Sequence, residues 1–314
     1  MNPALLTTVQ VVVVVTFAPL ATGVVRRVKA FLQGRHGPPV LLPYWTLLTL
    51  MRKEMVLSTS TSWVFRAAPY VVLATALLSA AVLPLVVRGG IAAPLSHMVV
   101  VAGIWMLGAV FLVLAGLDSA GAFGGMGSSR EMTISAFLEP ALIVTLASFA
   151  LASGSSTVDG MLAIGGRGLL SRPWVLPALA SLGLIALGEN ARYPVDNPAT
   201  HLELTMVHEA MVLEYSGPYL ALMELASMVK LAVFALLLVN IVLPAGLLTT
   251  ATGIVALAAA PLVTAVKLGA AMVLLALVES SMAKLRFYGL PEYFFGSLFL
   301  GLTSLALGLF AGWL

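Results

Sequence analysis

The stretch from Glu189 to Gly217, ENARYPVDNPATHLELTMVHEAMVLEYSG, concentrates charge in a chain that otherwise carries little of it. Its acidic, basic and histidine side chains are Glu189, Arg192, Asp196, His201, Glu203, His208, Glu209 and Glu214. Over all 314 residues, 61% are hydrophobic and only 9% are charged, whereas a soluble domain carries about 25% charged residues. The sequence therefore predicts an integral membrane protein. Ionisable groups at membrane depth are costly, so we treat them as functional candidates.

A helix is predicted inside this stretch, from Pro198 to about Tyr215. Asn197 is a suitable N-cap and Pro198 fits the first turn, while Ser216-Gly217-Pro218 ends the helix. The acidic face of this helix has two interpretations. It is either half-buried, as a proton relay or polar channel requires, or it is the solvated side of an amphipathic surface helix.

Outside the stretch, the chain consists of apolar segments long enough to cross a bilayer, which takes about 20 residues. We predict about eight transmembrane helices, over residues 4–25, 66–87, 96–117, 133–153, 173–189, 218–245, 252–281 and 292–313. The predicted fold class is an all-α integral membrane protein with a single transmembrane domain over residues 1–314. The acidic stretch then forms a loop and helix between the fifth and sixth helices.

Lysine and arginine orient these helices, because basic residues favour the cytoplasmic side of a membrane. Seven of the 16 follow the first predicted helix, and others follow the third, fifth and seventh, whereas the connections on the opposite side hold only Arg88, Arg167 and Arg172. We therefore predict a multi-pass protein of the cytoplasmic (inner) membrane with both termini outside. The cytoplasmic connections are then about 26–65, 118–132, 190–217 and 282–291.

Two of these connections carry further predictions. In the first, Pro43 to Val56 predicts an amphipathic helix at the membrane interface, with Trp45 at headgroup level. Its basic residues either bind anionic lipid or an acidic partner, or only determine topology. The second, DSAGAFGGMGSSRE over residues 118–131, is predicted to be a loop of small residues that lines a narrow passage.

Composition also limits the chemistry. Without cysteine, the chain has no ligands for a thiolate zinc site or an iron–sulfur cluster. A net charge of +3 with scattered basic residues argues against nucleic-acid binding. His208-Glu209 begins the zinc-protease helix pattern, but Val212 stands where the second histidine is required. We predict no metal site and no cofactor held by this chain.

Several charges fall inside or near the ends of predicted helices: Asp118, Glu139, Glu224, Lys230, Lys267 and Glu279. Each one, if isolated, costs about 2.5–3.5 kcal/mol at a helix centre. They must therefore face the protein interior, a partner subunit or water. As a set they suit a proton path, whereas the alternative is structural pairing, for example between Glu224 and Lys230.

Two motifs carry a resemblance to a known family. Gln33-Gly34-Arg35-His36-Gly37-Pro38 resembles the signature after the first helix of the complex I subunit that forms the quinone channel. Glu189-x-x-Arg192-x-Pro194-x-Asp196, followed by Glu203-Leu204 and Glu214-Tyr215-Ser216, resembles that family's second signature. The quinone-reducing branch carries further acids where this chain has Ala199 and His201, and the run from Asp196 to Gly217 is similar to the hydrogenase-type members.

The resemblance covers nearly the whole chain and implies the eight-helix fold shared with membrane anchors of group 4 energy-converting [NiFe] hydrogenases and formate hydrogenlyases. It implies a non-catalytic subunit of a membrane-bound oxidoreductase, without a redox centre of its own. Such a subunit anchors the hydrophilic hydrogenase arm and couples its redox reaction to proton or sodium translocation. The implied partners are the hydrogenase large and small subunits, an iron–sulfur subunit, antiporter-like membrane subunits and lipid. The NiFe centre and iron–sulfur clusters are expected in those partners.

The resemblance and the buried charges give two groups of candidate residues. The predicted proton or ion pathway consists of Glu139, Asp196, Glu203, Glu209, Glu214, Glu224, Lys230 and Lys267. The predicted docking and cavity face consists of Gln33, Arg35, Glu189, Arg192, His201 and His208. Two other functions stay open: a quinone-channel subunit of a complex I-type NADH:quinone oxidoreductase, and a stand-alone ion transporter.

Overall fold

A computed structural model of the chain describes residues 2–162, 165, 172–196, 207–249, 253–282 and 290–311. These residues form helices and turns, with no β-strand among them. The α-helices are α1 (Pro3–Leu32), α2 (Leu42–Met51), α3 (Trp63–Val82), α4 (Met98–Asp118), α5 (Ala122–Ser153), α6 (Val158–Met161), α7 (Leu176–Glu189), α8 (His208–Val212), α9 (Gly217–Val242), α10 (Ile254–Ser281) and α11 (Leu290–Ala311).

Seven of these helices are long and apolar enough to cross a membrane, namely α1, α3, α4, α5, α9, α10 and α11. This confirms the predicted all-α membrane fold. The predicted eighth span corresponds to the shorter apolar helix over Pro173–Glu189. At about 1.5 Å per residue it measures roughly 25 Å, less than the roughly 30 Å of a hydrocarbon core. The count of eight therefore stays a prediction.

The predicted loop over residues 118–131 is wrong, because α5 begins at Ala122. The small residues allow two helices to approach closely instead of lining a loop. A Cβ on Gly124 would lie 2.3 Å from the backbone oxygen of Gly116 on α4. A Cβ on Gly127 would lie 2.9 Å from the backbone oxygen of Val207. Glycine therefore permits both contacts, and the first turns of α5 pack where a loop was expected.

Two other predicted boundaries also move. Helix α1 continues to Leu32, seven residues beyond the predicted end at residue 25, which makes Arg26 and Lys29 helical. The predicted interfacial helix is present but ends at Met51. Of the predicted helix from Pro198 to Tyr215, the structure describes only the end, where His208–Val212 is helical. Residues 197–206 lie outside the described ranges.

Helix α9 is the centre of the bundle. In its most apolar window 61% of the residues are buried, compared with 28–44% in the other six candidate spans. It contacts α1, α2, α3, α7 and α10. Outer helices α10 and α11 instead expose large apolar side chains such as Val266 and Phe299. Their burial pattern fits a bundle whose outer surface faces lipid or other membrane subunits.

Polar contacts tie the helices together at the end where α3 stops and α4 starts. The buried Gln10 amide of α1 donates to the backbone oxygens of Ala80 and Leu83. Its oxygen accepts from the backbone N–H groups of Val86 and Val87 at 3.0 and 2.8 Å. One glutamine thereby satisfies backbone groups that the end of α3 leaves unpaired.

Candidate functional site

A cavity of about 790 Å³ lies among the helices near the Glu189–Gly217 stretch. It is bounded by the C-terminal parts of α1 and α10, the end of α7, the short helix α8, the first half of α9 and parts of α3, α4 and α5. Its ionisable lining residues are Arg26, Lys29, Glu131, Glu189, Arg192, Tyr193, Asp196, His208, Glu209, Glu224, Lys230 and Glu279. Of the six charges predicted inside or near the ends of helices, Glu224, Lys230 and Glu279 therefore face one space.

One charge cluster surrounds Lys230 of α9. Its Nζ donates to Glu189 Oε2 at 2.6 Å, and both side chains are largely buried. Glu131 of α5 also interacts electrostatically with Lys230, Glu189 and Asp196. The ammonium of Lys230 therefore has one carboxylate in direct contact, that of Glu189, and a second, that of Glu131, within its electrostatic influence. In such a cluster the preferred partner of the ammonium depends on which carboxylate holds a proton.

A second charge cluster surrounds Glu279 of α10, and this glutamate is only 4% exposed. Lys29 Nζ lies 2.8 Å from Glu279 Oε2, and Arg192 lies 3.8 Å from Oε1. Neither carboxylate oxygen has a hydrogen bond of good geometry to a residue that the structure describes, and the contacts with Lys29 and Arg192 are ionic. Burial lowers the pKa of Arg192, while the charge of Glu279 opposes that shift. Lys29 also lies 5.2 Å from the centre of the Tyr193 ring.

The turn after α7 brings these groups together. The backbone N–H of Arg192 donates to Leu187, and the backbone N–H groups of Val195 and Asp196 donate to Arg192. The turn contains a cis peptide bond between Tyr193 and Pro194. It carries Arg192 and Asp196 back over the end of α7, so the carboxylate of Glu189 and the guanidinium of Arg192 face the same cavity.

Asp196 links the turn after α7 to the start of α8. Its side chain is buried, and Oδ2 accepts from the backbone N–H groups of Val207 and His208 at 3.2 and 3.4 Å. The cavity-lining ring of His208 follows directly. Burial, with the charges of Lys230 and Arg192, lowers the pKa of His208 to about 4. His208 is therefore neutral at pH 7.

Tyr215 fixes the end of the stretch against α3. Its hydroxyl donates to the backbone oxygen of Phe65 at 2.8 Å, and the two rings stack at 4.0 Å. Asp118 accepts from the backbone N–H groups of Ser62 and Phe65 beside them. Burial and the negative charge of Asp118 raise the pKa of Tyr215. The stretch is therefore packed on the bundle at both of its described ends.

The structure divides the sequence-predicted residues into three sets. Those lining the cavity are Gln33, Glu189, Arg192, Asp196, His208, Glu209, Glu224 and Lys230. Those outside its lining are Arg35, Glu139, Glu214 and Lys267. Glu203 and His201 lie outside the described residues. Arg35 and Glu214 are exposed, and Glu139 is half-buried on α5.

Some cavity residues were missed by the sequence reasoning. Glu131 was assigned to the predicted loop, and Arg26 and Lys29 to the first connection, because the helix boundaries were misplaced. The apolar periodicity of α1 continues through its basic residues, and this pattern would have placed Lys29 on a helix. The suggested pairing of Glu224 with Lys230 is also wrong, since Lys230 pairs with Glu189.

Among the described residues, no group of three or more histidine, aspartate or glutamate side chains is arranged to hold a metal ion. The side chains that line the cavity are suited to acid–base chemistry and ion pairing. Carboxylates, ammonium groups and a neutral imidazole line this cavity. Its volume of about 790 Å³ is large enough for many water molecules, because one water molecule needs only about 10–15 Å³ of cavity volume.

Comparison with known proteins gives the family. The profile described as NADH dehydrogenase matches residues 5–310. The chain belongs to the NADH dehydrogenase family. Formate hydrogenlyase subunit 4 of Escherichia coli (strain K12) is 30% identical over 302 residues, 95% of this chain and 97% of the relative. Hydrogenase-4 component C of the same organism is 30% identical over 283 residues, 88% of this chain and 87% of the relative.

A solved structure shares the fold of this NADH dehydrogenase family member. It is a chain from the membrane-bound sulfane sulfur reductase, an archaeal respiratory membrane complex. The TM-score is 0.79 at 14% identity, with 98% of this chain and 100% of the other covered. The resemblance inferred from the two motifs is confirmed by these matches, and the likeness in structure confirms a helical membrane fold.

Proposed function

We propose that this NADH dehydrogenase family member is a non-catalytic membrane subunit of an energy-converting [NiFe] hydrogenase. It anchors the hydrophilic arm and couples the redox reaction of that arm to proton or sodium translocation. The observation that carries the proposal is the cavity, where carboxylates of α5, α7 and α9 line one space and Glu189 of α7 pairs with Lys230. Similarity to formate hydrogenlyase subunit 4 over 95% of the chain supports the choice of complex.

The coupling element is the ion pair between Glu189 and Lys230. Glu189 ends α7 and is continuous with the turn that bears Arg192 and Asp196. A change in the arm that shifts this turn alters the distance between Glu189 and Lys230. Lys230 then pairs with Glu131 instead, because the energy of an ion pair depends on the distance between its charges. Protons or sodium ions follow the carboxylate that the ammonium leaves.

The docking face lies at the same end of the bundle. Gln33 and the exposed Arg35 follow α1, and the exposed Arg52 and Lys53 follow α2. The backbone oxygen of Val56 accepts from Ser216 Oγ, which joins the first connection to the end of the stretch. This basic surface receives the soluble hydrogenase subunits that hold the NiFe centre and the iron–sulfur clusters. Antiporter-like subunits adjoin the bundle within the membrane.

The decisive variant is Glu189→Gln in the intact complex. Hydrogen evolution by inverted membrane vesicles should continue, while the ion uptake coupled to it should fall about tenfold, as expected for a barrier raised by about 1.4 kcal/mol. Lys230→Met should have the same effect. The matched control is Glu292→Gln, which alters an exposed carboxylate outside the cavity. Unchanged coupling in both cavity variants would refute the relay.

A quinone-channel subunit is the second candidate, and one feature of the cavity favours it. The inner part of the cavity is apolar, lined by residues such as Leu112, Met223 and Leu231. Trp105 also lines it, and its buried Nε1 has no hydrogen-bond partner among the described residues. Solvent extraction of the purified complex distinguishes the two functions. One quinone per complex, with activity sensitive to quinone-site inhibitors, identifies the quinone subunit, whereas a co-purifying nickel subunit without quinone identifies the hydrogenase.

A further inference from the structure

The turn after α7 has a second ionic attachment besides the pair of Glu189 and Lys230. Arg192 lies in this turn, and its guanidinium is 3.8 Å from Oε1 of Glu279 on α10. Lys29 of α1 lies 2.8 Å from the other oxygen, Oε2. One buried carboxylate therefore lies between a cation of the turn and a cation of α1.

Tyr193 adds a contact from the next position in the turn. The Nζ of Lys29 lies 5.2 Å from the centre of the Tyr193 ring, which is within the range of a cation–π contact. Two consecutive side chains of the turn thus end on groups of α1 and α10. We call the set of Lys29, Glu279, Arg192 and Tyr193 the Glu279 clamp.

The clamp depends on the charge of Glu279. Its side chain is 1% exposed, and a buried charge without a partner is strongly unfavourable, so Lys29 and Arg192 stabilise it as counter-charges. Neutralising Glu279 in turn leaves two partly buried cations without this carboxylate. Glu224 of α9 is a further carboxylate whose charge acts on Arg192. Loss of the charge on α10 therefore favours movement of Arg192 toward α9.

The turn transmits a shift of Arg192 to Glu189, because its backbone is hydrogen-bonded to the end of α7. The N–H of Arg192 donates to the backbone oxygen of Leu187 at 2.9 Å. The N–H of Ala191 donates to the backbone oxygen of Gly188 at 3.0 Å. Glu189 lies between these donors and acceptors along the chain, so its backbone follows a movement of the turn.

We propose that Glu279 and Lys29 are positioning residues for the ion pair between α7 and α9. They hold the turn against α1 and α10 and so set the distance from Glu189 to Lys230. When the charge of Glu279 is lost, Arg192 moves toward α9 and carries the turn with it. The inference rests on the proposed coupling function, because it assigns the Glu279 clamp an effect on the pair that performs the coupling.

The variant Glu279→Gln in the intact complex tests the proposal, with the exposed Glu292→Gln as matched control. Ion uptake per hydrogen evolved by inverted vesicles should fall about threefold, less than with Glu189→Gln because the pair itself is retained. In the purified complex, hydrogen–deuterium exchange of the peptide with residues 190–196 should become about tenfold faster, because the turn opens more readily. The control variant should change neither quantity.

Two substitutions of Lys29 separate positioning by charge from side-chain packing. Lys29→Arg keeps a cation beside Glu279 and should leave both quantities close to those of the wild type. Lys29→Met keeps an apolar stem and removes the charge, so it should reproduce the effects of Glu279→Gln. Equal effects of the two substitutions would show that packing rather than charge holds the turn, and the proposal would then be wrong.

Comparison with Glu189→Gln distinguishes this inference from the proposed function. If Glu189→Gln uncouples ion uptake while Glu279→Gln leaves it unchanged, the relay stands and the Glu279 clamp has no positioning role. Unchanged exchange of the turn in Glu279→Gln also overturns the proposal. Normal uptake with Glu189→Gln instead refutes the relay and removes the basis of this inference. If Glu279→Gln does not assemble, the comparison of Lys29→Met with Lys29→Arg decides.

Discussion

At the scale of single residues, His208 is the most informative side chain of the cavity. It is the neutral member of a group of charges, and its pKa of about 4 reflects burial first and the cations Lys230 and Arg192 second. A protonated imidazole would add a positive charge beside both cations. His208 therefore reports on whether the stretch is packed on the bundle, because exposure to water returns its pKa to about 6.5.

The stability of the packed stretch should fall at acid pH because of this residue. Between pH 6.5 and pH 4 the unfolded chain binds a proton at His208 while the folded chain does not, so the free energy of unfolding decreases as pH falls through this window. We expect a loss of about 1–3 kcal/mol, less than the full shift implies because the ring faces a wet cavity. The measurement is the thermal unfolding of the purified complex at pH 7 and pH 4.5.

The control for this prediction is His208→Asn, which keeps a small polar side chain and does not titrate. The difference in unfolding temperature between the two pH values should be smaller in the variant than in the wild type, because other titrating groups cancel in the comparison. Equal pH dependence in the two proteins would show that His208 does not carry the effect.

At the scale of elements, the contact between α4 and α5 decides where the stretch sits. The first turns of α5 bring Gly124 against the backbone of Gly116 and Gly127 against Val207. Ser128 adds a hydrogen bond of 3.0 Å to the backbone oxygen of Val113. The beginning of α5 thus connects the end of α4 with the start of α8, and it carries Glu131 into the cavity.

Adjacent glycines of α5 provide a matched pair of variants. Gly124→Ala should destabilise the protein by about 1–3 kcal/mol, because its Cβ would lie 2.3 Å from the backbone oxygen of Gly116. The Cβ added by Gly125→Ala would have no described atom within 4 Å. This substitution should stabilise the helix by about 0.5–1 kcal/mol. Thermal unfolding in one detergent measures both. Equal effects of the two substitutions would contradict the close approach of α4 and α5.

The helices were largely predictable from the sequence, because the apolar segments are long and hydrophobic. The cavity was predictable in part, since Glu189, Arg192 and Asp196 belong to one motif and Lys230 lies on the following helix. Glu131 was not predictable, because glycine and serine before it are typical of a loop and only the packing on α4 makes them helical. The pairing of Lys29 with Glu279 depends on the contact of α1 with α10, which no sequence spacing specifies.

At the scale of the whole molecule, the charges form two layers. The cavity layer is at the end of the bundle that holds the acidic stretch. The second layer, with Gln10, Asn240 and Lys267, lies where α3 and α9 end, and Lys267 is about 18 Å from Glu279 along α10. The described ends of the chain are at the side away from the cavity, where Thr7 accepts from the backbone N–H of Ile91 and Ser304 donates to Trp174.

The predicted orientation can be tested because the chain has no native cysteine. Single cysteines at the exposed positions Glu54 and Ile91 report on opposite ends of the bundle. With intact spheroplasts, a membrane-impermeant maleimide should label Ile91→Cys and should label Glu54→Cys only after lysis. The positive-inside rule gives this direction, because the basic residues cluster at the end that holds Glu54. The reverse labelling pattern would invert the predicted topology.

The short helix over Pro173–Glu189 has an electrical consequence. The helix is roughly 25 Å long, so starting it at the headgroup level of a membrane whose hydrocarbon core is about 30 Å thick leaves Glu189 inside that core. In that placement, an ion that follows the proposed coupling route to Glu189 crosses part of the transmembrane voltage, which is worth about 2.3 kcal/mol per charge for a full crossing at 100 mV. The proposed relay therefore predicts that the occupancy of this carboxylate depends on the membrane potential.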